Sequence, residues 1–402
     1  MSLRSRLRPM VLGTMLGVAP LLPGPAQADS STRDRLVRIG IQDGVDSVVF
    51  SAATRARIED TSGRVLGQIL PRESWTATRF GKAVRITGEG QDLKIDGPAR
   101  IVPTGDPPTL VYCGRKWYRG LLEIRPGLVA VNEVPLEDYL YGVVPYEMPS
   151  GWPLEALKAQ AVAARTYTLA NLGAVASRGY DLKPTTDHQV YGGVAKEVAS
   201  SNRAVDETRG QVLAYNGRLI NAYYCSAAGG YTDNAETVWG TAPVPWLQPV
   251  PDFDQEAPSY SWQRRLTRRE VEAALDKHGV RLGTLLALNP LERGFSNRIK
   301  RIELVGAGGS RTVTGERFRY MTGMKSSLFN VAAVPGADGH LEAFAFAGRG
   351  HGHGLGLSQW GAKGLGRMGY GHLQILGHYY PGAQLQVAQS AVMPDWGLLA
   401  RR

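Results

Sequence analysis

The run "PLEALKAQAVAARTYTLANL", Pro153 to Leu172, constrains the fold of this chain more than any other stretch. Its alanines keep most sides narrow, so it predicts a helix that can be buried all round. Pro153 suits a first helical turn, where a missing N–H leaves nothing unpaired. At 100° per residue Leu154, Ala161, Arg165 and Leu172 fall within about 40° of one another, which sets a guanidinium on an apolar stripe. An arginine cannot shed its charge on burial. Arg165 is therefore expected to bond another carboxylate, such as Glu137, Asp138 or Asp187, or several backbone carbonyls. Pairing with Glu147 is the alternative, but a close ion pair would lower the pKa of that acid.

Around this helix the pattern is mixed. From Leu36 to about Arg119 short alternating runs, among them "VRIGI", "SVVFSA", "AVRITG" and "DLKID", are separated by Gly, Asp, Pro and Ser, which is strand-and-turn spacing. Strands continue through "GLLEIRP" and "LVAVNEV", and "PLEDYLYGVV" begins a helical pattern. Further on, "YNGR" between alternating hydrophobics predicts a hairpin. "LTRREVEAALDKHG" predicts a helix capped by Thr267, with Glu270 at capping-box spacing. The block "GRGHGHGLGLSQWGAKGLGRMGYGHLQILGHYYPG" reads as a glycine-dense loop running into a helical segment. The expectation is an α+β protein: a β-rich N-terminal region over 29–120, a mixed α+β core with a substrate groove over 121–388, and a tail over 389–402.

Residues 1–28 read as an address. Arg4, Arg6 and Arg8 precede an apolar run, Met10 to Leu22, and Ala26 and Ala28 fit the small-residue cleavage rule, so cutting is expected before Asp29. The apolar run is short for a bilayer span, and no later segment approaches the roughly 20 apolar residues a membrane helix needs. The remainder carries 43 basic and 36 acidic side chains, three arginines having left with the leader. A moderate basic excess favours anionic surfaces such as wall polymers or acidic sugars. Export and the absence of a Lys/Arg-rich run argue against nucleic acid. Cys113 and Cys225 leave two options open, one disulfide or two free buried thiols.

Several residues could carry chemistry. Glu147, in "VVPYEMPSGWP", is a lone carboxylate among apolar side chains. Such a setting raises its pKa and suits a proton donor to a leaving oxygen, while the plainer reading is a cap or a structural partner. Glu137 and Asp138 fit a helix N-terminus. In "TTDHQVYGG", His188, Gln189 and Tyr191 could face one pocket. His351 and His353 share a face if extended, but a metal site would need a third ligand, and no HExxH or CxxC pattern supplies one. Ser358 lies in "GLGLSQW", which is no GxSxG elbow because Trp360 stands where the second glycine belongs.

The blocks "VNEVPLEDYLYGVVPYEMPSGWPLEALKAQAVAARTYTL", "DHQVYGG", "AYYCSAAGGYTDNAETVWG", "WLQPVPD" and the glycine-dense block above resemble, in order, those of the stage II sporulation protein D and amidase-enhancer family, over about residues 121–383. The resemblance implies a SpoIID-like core, peptidoglycan as substrate class and lytic transglycosylase activity on glycan strands, with the family's catalytic glutamate matching Glu147. A groove lined by Glu147, Arg165, His188, Gln189, Tyr191, His353, Ser358, Gln359 and Trp360 is expected to hold the strand. Family members that carry zinc do so through a Cys/His cluster near the "QVY" block. Here only His188 stands there, so neither a metal nor a cofactor is expected. Members named as amidase enhancers supply the alternative, a non-catalytic wall-binding activator with a cell-wall amidase as partner. The expected location is exported, periplasmic or wall-associated.

Overall fold

Alternating runs in the first hundred residues become sheets because each strand has one face to bury. The computed structural model describes residues 35–388; the expected leader (1–28) and tail (389–402) lie outside them. Two six-stranded antiparallel sheets come first. One runs Leu36–Gln42, Val129–Pro135, Leu121–Arg125, Ala99–Pro103, Ala56–Glu59, Val65–Ile69 in spatial order; the other runs Lys116–Arg119, Leu110–Cys113, Ser47–Ala52, Trp75–Phe80, Ala83–Gly88, Gln91–Ile95. Their inner faces, with Val37, Phe50, Trp75, Ile101 and Leu122 fully buried, belong to one hydrophobic cluster. The boundary expected at residue 120 falls inside the first sheet, since Leu121–Arg125 and Val129–Pro135 are two of its strands and the latter pairs with Leu36–Gln42.

The same cluster continues into the helices, as far as Tyr380. Helix α1 (Leu136–Tyr141) and the short α2 (Val144–Glu147) lead into α3 (Leu154–Ala170). Pro153 stands one position before the first turn, as the N-cap. Of α3 only Leu154, Glu155 and Lys158 escape burial, because small alanines let neighbours approach on every side. It packs against α1, α2 and α4 (Ala199–Glu207), the strand Gln211–Tyr215, and the later α8 (Gln359–Arg367) and α9 (His372–Tyr379), with the short α5 (Ala235–Val238) following the 224–231 loop.

The expected hairpin forms: Gln211–Tyr215 pairs with Arg218–Leu219, and Asn216 and Gly217 take positive φ between them. Residues 262–346 carry a second, separate core of Val271, Ile302, Phe318, Phe344 and Phe346 among others. Two three-stranded sheets, α6 (Arg268–Lys277) and α7 (Gly315–Thr322) build this module. Thr267 caps α6 in the expected capping box with Glu270. The module's first and last strands, Trp262–Thr267 and Leu341–Gly348, pair with each other, so it leaves and rejoins the main core at one place.

That insertion has a consequence for the site. Tyr224–Cys225, before the module, and Leu357–Ser358, after it, pair in parallel. Ala227 and His351 exchange backbone hydrogen bonds, Trp360 N donates to Ser226 O, and Asp233 N donates to Gly354 O. Two loops distant in sequence are thereby zipped together beside α2. Among the described residues no helix is long and apolar enough to cross a membrane. Cys113 and Cys225 are both buried and both free; Cys113 Sγ donates to Gln42 Oε1 at 3.2 Å.

Candidate active site

The turn "YEMP" ends α2 at Glu147 and turns its carboxylate inward. Met148 is extended and buried just behind it. Glu147 Oε1 accepts from Val190 N at 3.0 Å and Oε2 from Gln359 Nε2 at 3.0 Å. The Tyr224 hydroxyl, whose proton goes to Gln189 Oε1, also stands near enough to lower the Glu147 pKa. Burial raises the pKa of Glu147, and the two hydrogen bonds and the Tyr224 hydroxyl only partly offset that. Among the described residues no lysine, arginine or histidine bonds to it, and no second carboxylate shares its hydrogen bonds.

The donors are themselves held. Gln189 is fully buried and donates to Thr168 Oγ1 at 2.7 Å and Tyr139 Oη at 3.3 Å, while its Oε1 accepts from the Tyr224 hydroxyl at 2.9 Å. Thr168 belongs to α3 and turns its own hydroxyl back onto Ala164 O. This chain locks the backbone of "DHQVY" so that Val190 N faces Glu147. Gln359 Nε2 also lies 3.5 Å from Oε1 of the buried Gln160. Tyr139, Tyr167 and Tyr224 have their pKa values raised by burial first and by the Glu147 charge in part, so they stay neutral donors.

Partly exposed aromatics adjoin the residues around the carboxyl in the chain, Trp360 following Gln359 and Tyr223 preceding Tyr224. Trp152 and Trp360 meet edge to face at 4.8 Å, and the Lys363 ammonium stands over both rings. Tyr223, Trp239 and His353 form another group, with ring centres 4.7 to 6.2 Å apart. His353 Nδ1 accepts from Leu355 N at 3.0 Å, which leaves Nε2 to carry the proton of the neutral ring; burial lowers its pKa to about 4.

The expected groove residues thus divide. Glu147, Gln189 and Gln359 are brought together, with Trp360 next to them. Arg165 is not in the groove: it is fully buried, bonds Glu137 through Nε at 2.9 Å and Nη2 at 2.7 Å, and spends its remaining donors on Val205 O, Gln211 O and Thr208 Oγ1. Its partner is thus the acid Glu137 and backbone carbonyls, and Glu147 is not among them. Tyr191 is buried with its hydroxyl on Asn132 Oδ1 at 2.8 Å, because its ring packs between Tyr118 and Tyr139. Ser358 is fully buried as the N-cap of α8, accepting from Gly361 N. His188 is partly exposed, and its Nδ1 accepts from Lys183 N at 3.5 Å. Among the described residues no group of three His, Cys, Asp or Glu could hold a metal ion.

Tyr224, Tyr139, Tyr167 and Gln160 were not read from the sequence as site residues. Tyr224 had a signal: it stands in a strand directly before the glycines of "CSAAGG". The module contributes as well, through Arg298. This guanidinium is fully buried, donates to Ala228 O at 2.5 Å and packs against Gly354, where any Cβ would overlap it. Gly354 also takes a positive φ, so the glycine of "GHGHG" is required on two counts. Arg298 thereby holds the loop that carries Tyr224 against the loop that carries Gln359.

Comparison with known proteins agrees with this arrangement of blocks. The family model described as "Stage II sporulation protein" matches residues 125–215, and one described as a domain of unknown function (DUF8618) matches 246–356, which spans the inserted module. The chain is 33% identical over 278 residues to an uncharacterized protein of Brachyspira hyodysenteriae, covering 68% of this chain and 73% of that one. It is 43% identical over 133 residues to the amidase enhancer of Bacillus subtilis, which is 33% of this chain but only 17% of the enhancer. To stage II sporulation protein D of Bacillus subtilis it is 30% identical over 284 residues, 65% of this chain and 77% of that protein. By that likeness and the family model together, the chain belongs to the SpoIID (stage II sporulation protein D) family.

Proposed function

We propose that this protein acts on peptidoglycan and cleaves its glycan strands as a lytic transglycosylase, with Glu147 as the single general acid and base. The observation that carries the reading is the setting of Glu147: a partly buried carboxyl held by two neutral donors, with a tyrosine hydroxyl beside them and its pKa raised. A hydrolase of the usual kind places a second carboxylate across the bond, as base or nucleophile. Among the described residues no other carboxylate shares the hydrogen bonds of Glu147, which favours a reaction in which the substrate supplies its own nucleophile. Glu147 protonates the glycosidic oxygen as the bond to C1 breaks. The resulting carboxylate then takes the proton of the muramic acid C6 hydroxyl as that oxygen bonds to C1, closing a 1,6-anhydro ring. Trp152 and Trp360 supply apolar faces for sugar rings, with His353 and His188 at the margins. The reading needs no metal or cofactor, and it places the protein outside the cytoplasm, in keeping with the leader pattern of residues 1–28.

Mass spectrometry of purified glycan strands tests it. Anhydro-muramyl products from wild type and none from Glu147→Gln are expected; strands left intact by both would refute cleavage. A second reading is favoured by one observation, the 43% identity with an amidase enhancer: a wall-bound activator of a cell-wall amidase that does not cut. It predicts that wild type and Glu147→Gln both leave strands intact and stimulate an added amidase equally.

A further inference from the structure

Outside the Glu147 site a cavity of about 1080 Å³ opens where the inserted module meets the main core. One wall is the loop through Gly230 and Tyr231; the other comes from the module and carries Trp262, Arg293, Phe295 and Arg349. Its volume is at the upper end of pockets that hold whole small molecules, about 300–1,000 Å³.

Its lining is unlike that of the Glu147 site. Phe295, 70% exposed, and Tyr231, 43% exposed, face each other at 5.6 Å across the two walls. Large aromatics left in water at a cavity rim mark a contact surface. Arg293 and Arg349 have no carboxylate partner among the described residues. Arg293 is held in place by Asn297 O, Phe329 O and Asn330 Oδ1, and the Arg349 guanidinium stands 5.6 Å from the Tyr260 ring. The one acid of the lining, Asp252, is buried and already accepts from Ala228 N, Phe253 N and the Tyr379 hydroxyl. Two guanidiniums free of carboxylates, set among aromatic faces and the amides of Gln255, Gln263 and Asn297, suit a peptide that carries carboxylates.

The cavity is joined to the catalytic carboxyl by one short piece of chain. Tyr224 stands near enough to Glu147 to lower its pKa and Tyr231 lines the cavity, and seven residues span at most about 25 Å. A peptide arm of about five residues, reaching up to roughly 17 Å when extended, can bridge much of that distance from a sugar bound near Glu147. We propose that this cavity is a second binding site, one that takes the carboxylate-bearing peptide arm of the strand whose glycan lies at Glu147. The proposal rests on the peptidoglycan reading above, and it makes the module a reader of peptide-bearing strands.

The test is binding of three probes to the full chain: a synthetic muramyl peptide with free carboxylates, the same compound with its carboxylates amidated, and a peptide-free N-acetylated oligosaccharide. Arg349 is exposed, so Arg349→Glu retains the fold, which its melting temperature checks, and Arg349→Lys serves as the charge-keeping control. The free-acid peptide is expected to bind wild type and to lose about tenfold or more in affinity on Arg349→Glu or on amidation, less on Arg349→Lys, with oligosaccharide binding unchanged throughout. No binding of the free-acid peptide to wild type, or equal binding to Arg349→Glu, overturns the proposal. Cleavage of peptide-stripped strands by the same proteins separates the two ideas. Stripped strands cut equally by wild type and Arg349→Glu, with peptide binding indifferent to Arg349, would sink the cavity site and leave cleavage standing. Arg349-dependent peptide binding with uncut strands would do the reverse.

Discussion

Glu137 and Glu147 stand ten residues apart, on α1 and α2, and both are turned inward. Glu137 meets a guanidinium in bidentate fashion, Arg165 Nε and Nη2 on its two oxygens. Glu147 meets a side-chain amide and a backbone N–H, with a tyrosine hydroxyl close by. A buried carboxylate bonded to a cation serves the scaffold, because neither can lose the other without leaving a buried group unpaired. A buried carboxylate with neutral donors has its proton held more tightly and can deliver it. Glu137 is 2% exposed and Glu147 only partly buried, so partner and exposure together separate scaffold from chemistry in this molecule.

The largest effect expected from the comparison is on folding. Arg165→Ala leaves Glu137 buried without its cation and should cost about 3–5 kcal/mol of stability, read from urea unfolding; a loss under about 1 kcal/mol would mean the pair does not hold the scaffold. Glu147→Gln separates the two roles from the other side. It should leave the urea midpoint nearly unchanged and lower strand cleavage by about 10²-fold or more. A protein that unfolds early with Glu147→Gln would return that acid to a structural role.

The sequence made half of this comparison legible. The 3.6-residue period placed Arg165 on the apolar stripe of α3, and a buried charge demands a partner, so an acid such as Glu137 could be named before any coordinates. The lone setting of Glu147 was visible for the same reason. What surrounds Glu147 was not. Val190, Tyr224 and Gln359 come from three segments, joined by the parallel pairing of Tyr224–Cys225 with Leu357–Ser358, and no local period announces a two-residue strand pair across an intervening module. The same blindness put Tyr191 in the groove, when alternation alone could not tell that its hydroxyl belongs to Asn132. It also set a boundary at 120, where the turn signals are dense but the sheet runs on to Pro135.

Smaller effects sharpen the contrast. Tyr224→Phe removes a hydroxyl that lowers the Glu147 pKa. The alkaline limb of the cleavage profile, where Glu147 loses the proton it must deliver, should therefore move to higher pH; a shift to lower pH would contradict the assignment. A buried carboxyl pair away from the site offers a subtler check. Asp254 accepts from Gly229 N and Gly230 N, and burial together with the neighbouring Asp252 pushes its pKa up to about 7. A folded pKa above the unfolded value gives stability that is full below the unfolded pKa and lost as pH rises through the folded one. Unfolding free energy should thus fall between about pH 4 and slightly above 7, and Asp254→Asn, which cannot ionise, should flatten that decline.

The most direct test of the account is the titration of Glu147 itself. With carboxyl-carbon labelled glutamate and Glu147→Gln to assign its signal, the Glu147 carboxyl should titrate with a midpoint clearly above the ordinary glutamate value of about 4.3. A midpoint at or below that value would mean that Glu147 is held as a charged acid, and would contradict its role as proton donor.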